Sequence, residues 1–162
     1  IGRLTEAAIV LEAIVEKHSL ESAIQAAVAA THGVADEIFA RIHMPAEYRI
    51  ATKGDLPLVR RDNGQAKELS QVSTGQRAAY ALSMFLAMNS QVRDGPRVLI
   101  LDDPISHIDD LNALSFLDYL RNLVLHSQRQ VFFATADEKI AGLFSHKFAF
   151  LGKEFRTIEL SR

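Results

Sequence analysis

Apolar side chains recur every three or four positions through the first quarter of the chain. Leu4, Ala8, Leu11 and Val15 are spaced four, three and four apart, and Ile24, Val28, Thr31, Ala35, Ile38 and Ile42 alternate four and three. That period predicts two helices, with a kink or a helix–helix junction where the register breaks around His18 to Ser22. Two readings fit the stripes: amphipathic helices packed on a domain, or the root of a coiled coil entering a globular head. Pro45 ends the second helix, because proline cannot continue the hydrogen-bond ladder. The chain therefore divides into a helical segment over 1–44 and a lobe over 45–162.

Within the lobe the period changes. Tyr48 to Thr52 and Leu56 to Arg60 read as strands around the turn Lys53-Gly54-Asp55, with Pro57 marking an edge, and Asp62-Asn63-Gly64 is a further turn. Gln76 to Asn89 is an apolar-rich helix, broken by Gly95-Pro96. Arg97 to Leu101 is a continuous apolar run, the pattern of a strand buried on both faces. Leu111 to Leu125 is an amphipathic helix, Val131 to Thr135 a second buried strand, and Asp137 to Phe144 a short helix. Lys147 to Leu151 and Phe155 to Leu160 read as a closing hairpin around Gly152-Lys153-Glu154. Strand, helix and strand from Arg97 to Thr135 make a βαβ unit, so the expected fold is α/β, with a partly parallel sheet flanked by helices.

Composition narrows the class. The chain has 162 residues, enough for one core, with 48% hydrophobic and 23% charged positions. Eighteen basic residues face twenty acidic ones, so the whole chain is not an electrostatic footprint for nucleic acid, and any DNA contact needs a local basic patch. There is no apolar run long enough to span a bilayer and no signal-peptide pattern, so no membrane partner is expected. No cysteine is present, which excludes disulfides and thiolate metal sites and suits a cytoplasmic location. The first residue is Ile1, and the sequence reads as part of a longer protein.

Chemistry gathers at three places. Val98 to Leu101 runs into Asp102, Asp103 and Pro104, two acids at the C-terminal end of a strand, where ligands of open α/β sheets bind. One carboxylate there can hold Mg²⁺ and a second can orient a water that attacks a phosphate; an acidic turn after a buried strand is the plainer alternative. Val72-Ser73-Thr74-Gly75-Gln76-Arg77 opens a helix, and such a turn either binds an anion or simply caps the helix through Ser73 or Thr74. Ser106-His107-Ile108-Asp109 follows the acids, and Ala134-Thr135-Ala136-Asp137 follows the second buried strand.

Taken in order, these elements resemble the ATP-binding-cassette superfamily over roughly the last two thirds of the chain. Val72 to Gln76 is similar to its signature motif, Val98 to Asp102 to its Walker B strand, Ser106 to Asp109 to its D-loop, and Val131 to Asp137 to the strand entering its switch loop. The heptad-like helices before the signature, the hairpin after them and the early chain end are most similar to the SMC-like branch, which includes double-strand-break-repair ATPases and the RecN and RecF groups. The resemblance implies ATP and Mg²⁺ as ligands. It assigns Asp102 to the metal and Asp103 to the attacking water. Ser73, Thr74, Gly75 and Gln76 would contact the ATP of an opposite head. Ser106, His107 and Asp109 form the D-loop near the dimer seam, and Thr135 and Ala136 occupy the switch position. The implied partners are a second head in an ATP-dependent homodimer and an N-terminal lobe of the same parent chain, which carries the phosphate loop. The implied setting is DNA repair or chromosome maintenance, in the cytoplasm or on the nucleoid.

Three departures qualify the resemblance. Asp103 stands where Glu is usual, Ala136 where His is usual, and no Gly-Lys-Ser/Thr loop is present, since Gly152-Lys153 is followed by Glu154. A non-hydrolysing dimerisation or scaffold module is therefore one alternative, and a transporter ATPase subunit another. Arg49, Lys53, Arg60, Arg61 and Lys67 cluster around the first hairpin, either as a charged edge that blocks strand pairing or as a contact to DNA phosphates. His18, His32, His43, His126 and His146 have no spacing with acids that suggests a metal site.

Overall fold

A computed structural model describes residues 20–51, 56–92 and 94–160, with side chains of the first helix from Val28 onward. The stripe from Leu4 to Val15, His18 and Ser19 of the expected junction, the turn at Lys53-Gly54-Asp55 and the side chain of Ile24 lie outside the described residues; Leu20 to Ser22 are already helical. Helix α1, Leu20–Ile42, buries Ala35, Ile38, Phe39 and Ile42, so the anticipated stripe points into the core over its last two turns, whereas Val28 is exposed. Past Pro45 come three short antiparallel strands in the order β1 (Tyr48–Ile50), β2 (Leu58–Arg60), β3 (Ala66–Lys67). Tyr48 faces Arg60 and Ile50 faces Leu58, which puts Tyr48, Ile50 and Leu58 on one buried face. Strand β3 was not anticipated; at two residues it is too short to carry a period.

Helix α2, Thr74–Gln91, follows, then strand β4 (Val98–Asp102), helix α3 (Asp110–Ser127), strand β5 (Gln130–Ala134) and helix α4 (Glu138–Phe148). Strands β4 and β5 pair in parallel with α3 as crossover, as the βαβ pattern predicts. Helix α1 packs against both α2 and α3, so one core joins Ile38, Phe39 and Ile42 to Leu82, Leu86, Phe116, Leu117 and Leu120. No helix among the described residues is long and apolar enough to cross a membrane.

Two expectations are corrected. The first is double-sided burial of the parallel strands. Leu99 and Leu101 are buried, but Ile100 is 68% exposed and its partner Phe132 49% exposed. One face of the β4–β5 sheet is covered and the other is open, so the strands alternate despite an unbroken apolar sequence. The second is the closing hairpin. Lys147 to Leu151 instead completes α4 and enters a 3-10 helix, Ala149–Glu154, and no strand forms between Phe155 and Leu160. Aromatic stacking accounts for this. Phe144 and Phe148, one helical turn apart, stack at 4.2 Å, and Phe133 of β5 stacks on Phe144 at 4.5 Å. A strand would also put positions 144 and 148 on one face but about 13 Å apart, whereas one helical turn brings them within stacking distance. Gly152 adopts φ 55° and breaks the helical run there.

Candidate functional site

Asp102 ends β4 on the open face, in register with Ala134, and is exposed. No described residue pairs with its carboxylate. Among the described residues no group of three or more metal-ligating side chains could hold an ion by itself. That donor set fits Mg²⁺ bound to a nucleotide, which takes one or two carboxylates and fills its remaining positions with phosphate oxygens and water.

Asp103 turns sharply out of the strand with φ 44°, a left-handed conformation that costs a non-glycine residue free energy but that Asp tolerates better than most. Four bonds hold it there, one of them from Ser106 N to its carbonyl at 3.4 Å. Its N–H donates to Ala134 O at 2.8 Å, extending the ladder by one residue. Its Oδ1 accepts from Thr135 Oγ1 at 3.2 Å. Its carbonyl accepts from Ser106 Oγ at 3.2 Å. Thr135 Oγ1 in turn accepts from Asp137 N at 3.1 Å, and Asp137 caps α4 by accepting from Lys139 N and Ile140 N. The ends of both parallel strands are thus joined through side chains, and Thr135 supplies the polar group that Ala136, exposed beside it, cannot.

The turn before α2 is a reciprocal capping box. Ser73 Oγ accepts from Gln76 N at 3.1 Å and Gln76 Oε1 accepts from Ser73 N at 3.0 Å. Gly75 follows Thr74, and a Cβ at Gly75 would lie 3.3 Å from His107 O. The glycine therefore lets the loop after β4 approach the start of α2. A cleft of about 320 Å³ runs between them, lined by Ala78, Ala81, Phe85, Asp103, Ser106 and His107 among others. Ser106 and His107 are exposed on its rim. Asp109 caps α3, accepting from Asn112 N at 3.0 Å and from Asn112 Nδ2 at 2.7 Å. The Asn112 N–H is the leading cause that holds the Asp109 carboxyl below its ordinary value, with the Asn112 side chain adding to it.

The structure thus brings Ser73, Gly75, Asp103, Ser106 and His107 to one region. It does not gather the basic residues. Lys53 lies outside the described residues. Arg49 is exposed on one face of the small sheet, while Arg60 and Lys67 occupy the other. Arg60 is paired with Asp62 at 2.7 Å, and Arg61 donates to Tyr48 O at 3.0 Å and lies 3.6 Å from Asp36. His32 bonds Ala51 O and His126 bonds Asn122 O, so both have structural partners. Two residues of the site escaped the sequence reading. Asn112 was signalled by its place three residues after a capping Asp, and Glu47, which accepts from Gln76 Nε2 at 3.4 Å, was not signalled at all.

No family model matches the sequence, and no curated protein matches it. Solved structures do. An SMC ATPase from a study of ATP-driven dimerization and DNA-stimulated activation is 19% identical, with a TM-score of 0.59 over 74% of this chain and 75% of that one. An Smc head domain with an extended coiled coil, bound to the C-terminal domain of ScpA derived from Pyrococcus furiosus, is 20% identical, with a TM-score of 0.51 over 70% of this chain and 29% of that one. An Smc head bound to the C-terminal winged-helix domain of ScpA is 20% identical, with a TM-score of 0.53 over 70% and 36%. The chain has the fold of the C-terminal lobe of an SMC-type ATPase head. It spans about a third of the length of the last two of these structures.

Proposed function

We propose that this chain is the signature lobe of a head that binds and hydrolyses ATP between two copies, in a protein of the chromosome-maintenance or DNA-repair kind. The observation that carries the reading is the shared edge of the capped turn at Ser73–Gln76 and the loop from Asp103 to Asp109. Two separate motifs expected at a head–head seam lie side by side, with Gly75 leaving room for the His107 carbonyl. The exposed Ile100 and Phe132 support a second partner, a lobe bearing the phosphate loop, since parallel sheets are ordinarily covered on both faces. Helix α1 would continue toward a coiled coil, and the protein would work in the cytoplasm or on the nucleoid.

On this reading the two acids have separate tasks. Asp102 is the last residue of the strand, exposed and open to a metal, and Mg²⁺ there would neutralise charge on the transferring phosphate. Asp103, fixed by Thr135 through one oxygen, keeps its other oxygen to accept a hydrogen bond from the attacking water. Positioning matters more than basicity in a largely dissociative phosphoryl transfer, so the shorter side chain of Asp gives slow turnover rather than none. Ser73 Oγ and the free N–H groups at the start of α2 would face the partner's γ-phosphate, where the helix dipole favours an anion.

The deciding experiment is Asp103→Asn in the full-length protein. The variant keeps the acceptor for Thr135 and removes the charge, so ATP binding and dimerisation should persist while hydrolysis falls by roughly 10²-fold or more. Hydrolysis at the native rate would remove Asp103 from the chemistry. A native protein that dimerises with ATP but never hydrolyses it would favour the scaffold reading, which draws on the absence of a polar side chain at Ala136.

A further inference from the structure

Three described polar residues are buried: His43, Ser83 and Asn112. Ser83 returns its hydroxyl to Ala79 O one turn back, as helical serines do, and His43 stacks on Phe39. Asn112, 4% exposed, instead joins two remote parts of the chain. Its Oδ1 accepts the Met44 N–H at 2.6 Å, across 68 positions, while its Nδ2 donates to Asp109 Oδ2 at 2.7 Å. Met44 lies just past α1, and Asp109 closes the loop that carries Ser106 and His107. Three residues on, Glu47 accepts from Gln76 Nε2 at 3.4 Å. The short segment from Met44 to Glu47 therefore touches both the capped turn before α2 and the cap of α3.

We infer that Asn112 is a positioning residue that couples the loop at Ser106–Asp109 to the direction in which α1 enters the lobe. The inference rests on the head reading above and extends it from the seam to the helix. A buried amide with both ends engaged cannot follow one partner and abandon the other cheaply, because the abandoned Met44 N–H would be left without an acceptor. If docking of a second head shifts the loop, Met44 and the end of α1 shift with it. The coupling is reciprocal, so the orientation of α1 also biases engagement of the loop, by a factor in the usual range of about 5 to 150.

Two variants of the full-length protein test this. Asn112→Leu keeps the branched shape, at a larger volume, and removes both side-chain bonds. Asn112→Asp keeps an acceptor for Met44 but sets an oxygen against Asp109. Without nucleotide, Asn112→Leu should speed amide exchange at both Met44 and residues 106–112 by roughly tenfold, the scale of one lost hydrogen bond to a charged group. Asn112→Asp should speed it over 106–112 while Met44 stays protected. With ATP and Mg²⁺, spin labels at Glu37→Cys on the two copies of α1 should change separation in the otherwise native protein. That change should be lost in both variants, with kcat reduced about tenfold. Asn112→Asp, which can still hold the end of α1, decides the matter should Asn112→Leu fail to fold. Native-sized label movement in either variant overturns the inference, because Asn112 would then only brace the cap. A native protein that does not dimerise with ATP ends both readings, and that result is visible before any variant is made.

Discussion

Ser73 offers a way to separate a helix cap from a phosphate ligand, because the two roles rank substitutions differently. Its Oγ accepts from Gln76 N at 3.1 Å within the capping box. Ser73→Ala removes that acceptor and should cost about 1 kcal/mol of stability. Ser73→Asp restores an acceptor and adds a negative charge at the positive end of α2, so it should match the native stability or exceed it by about 0.5 kcal/mol. If Ser73 only caps α2, every property of the protein should follow the order Asp, Ser, Ala. If a partner's γ-phosphate docks there, the Asp variant meets like charge. Two unit charges about 4 Å apart at an effective dielectric near 20 repel by about 4 kcal/mol, or roughly 10³-fold in affinity. The expected order for ATP-driven dimerisation is therefore Ser, then Ala, then Asp, the reverse of the stability order at its extremes. Urea denaturation gives the first order, and light scattering with ATP and Mg²⁺ gives the second, both on full-length protein. Ser73→Asp that dimerises as tightly as native would refute the placement of phosphate at this turn.

Other outcomes follow from the same geometry. Gly75→Ala needs His107 O to give by a few tenths of an ångström and should be tolerated, whereas Gly75→Val should displace the loop and weaken dimerisation, again read by light scattering. Phe148→Ala, at the centre of the stacked aromatics, should destabilise the protein by about 3–5 kcal/mol in urea titration. The Asp109 carboxyl is held below its ordinary value of 3.8, so the stability it lends is fully present above about pH 4 and is lost as pH falls through the lowered value. Protection of the amides over residues 109–112, taken relative to the intrinsic exchange rate at each pH, should thus hold down to about pH 4 and fall below it, and Asp109→Ala should abolish that step. If the face of the small sheet that exposes Arg49 touches DNA, Arg49→Glu should weaken binding for all sequences and reduce the salt slope by about 1, whereas Lys67→Glu on the opposite face should leave it unchanged; unchanged affinity of Arg49→Glu at low salt removes this sheet from the DNA surface.

Much of the fold was legible because the governing signals are local. Helix α3 and the flanking strands follow from the apolar period and from turn residues, and the acids at the end of β4 were visible as a break in an apolar run. The errors share a cause: long-range contacts decided what local pattern left open. Phe148 and Phe150 alternate like a strand, yet Phe144 and Phe133 draw Phe148 into a helix. The run Val98–Leu101 is apolar throughout, and no property of those four residues tells which face the rest of the molecule covers. The site was legible as motifs in order but not as a surface. Sequence could name Gly75 and His107 separately, but only the fold brings the His107 carbonyl to where a Cβ at Gly75 would touch it, and only the fold joins Met44 to Asn112.

The bare face around Ile100 and Phe132 also bears on how such a molecule is made. Two parallel strands whose outer edges pair with no other strand among the described residues, and an apolar surface on their open face, form a template to which other extended chains can add. Chaperones and proteases recognise that kind of surface. A copy in which this face stayed uncovered, because the lobe proposed to pack on it had not folded or docked, would therefore be held or degraded rather than accumulate. The same open face that leaves the Asp102 carboxylate exposed would then act as a proofreading step on assembly.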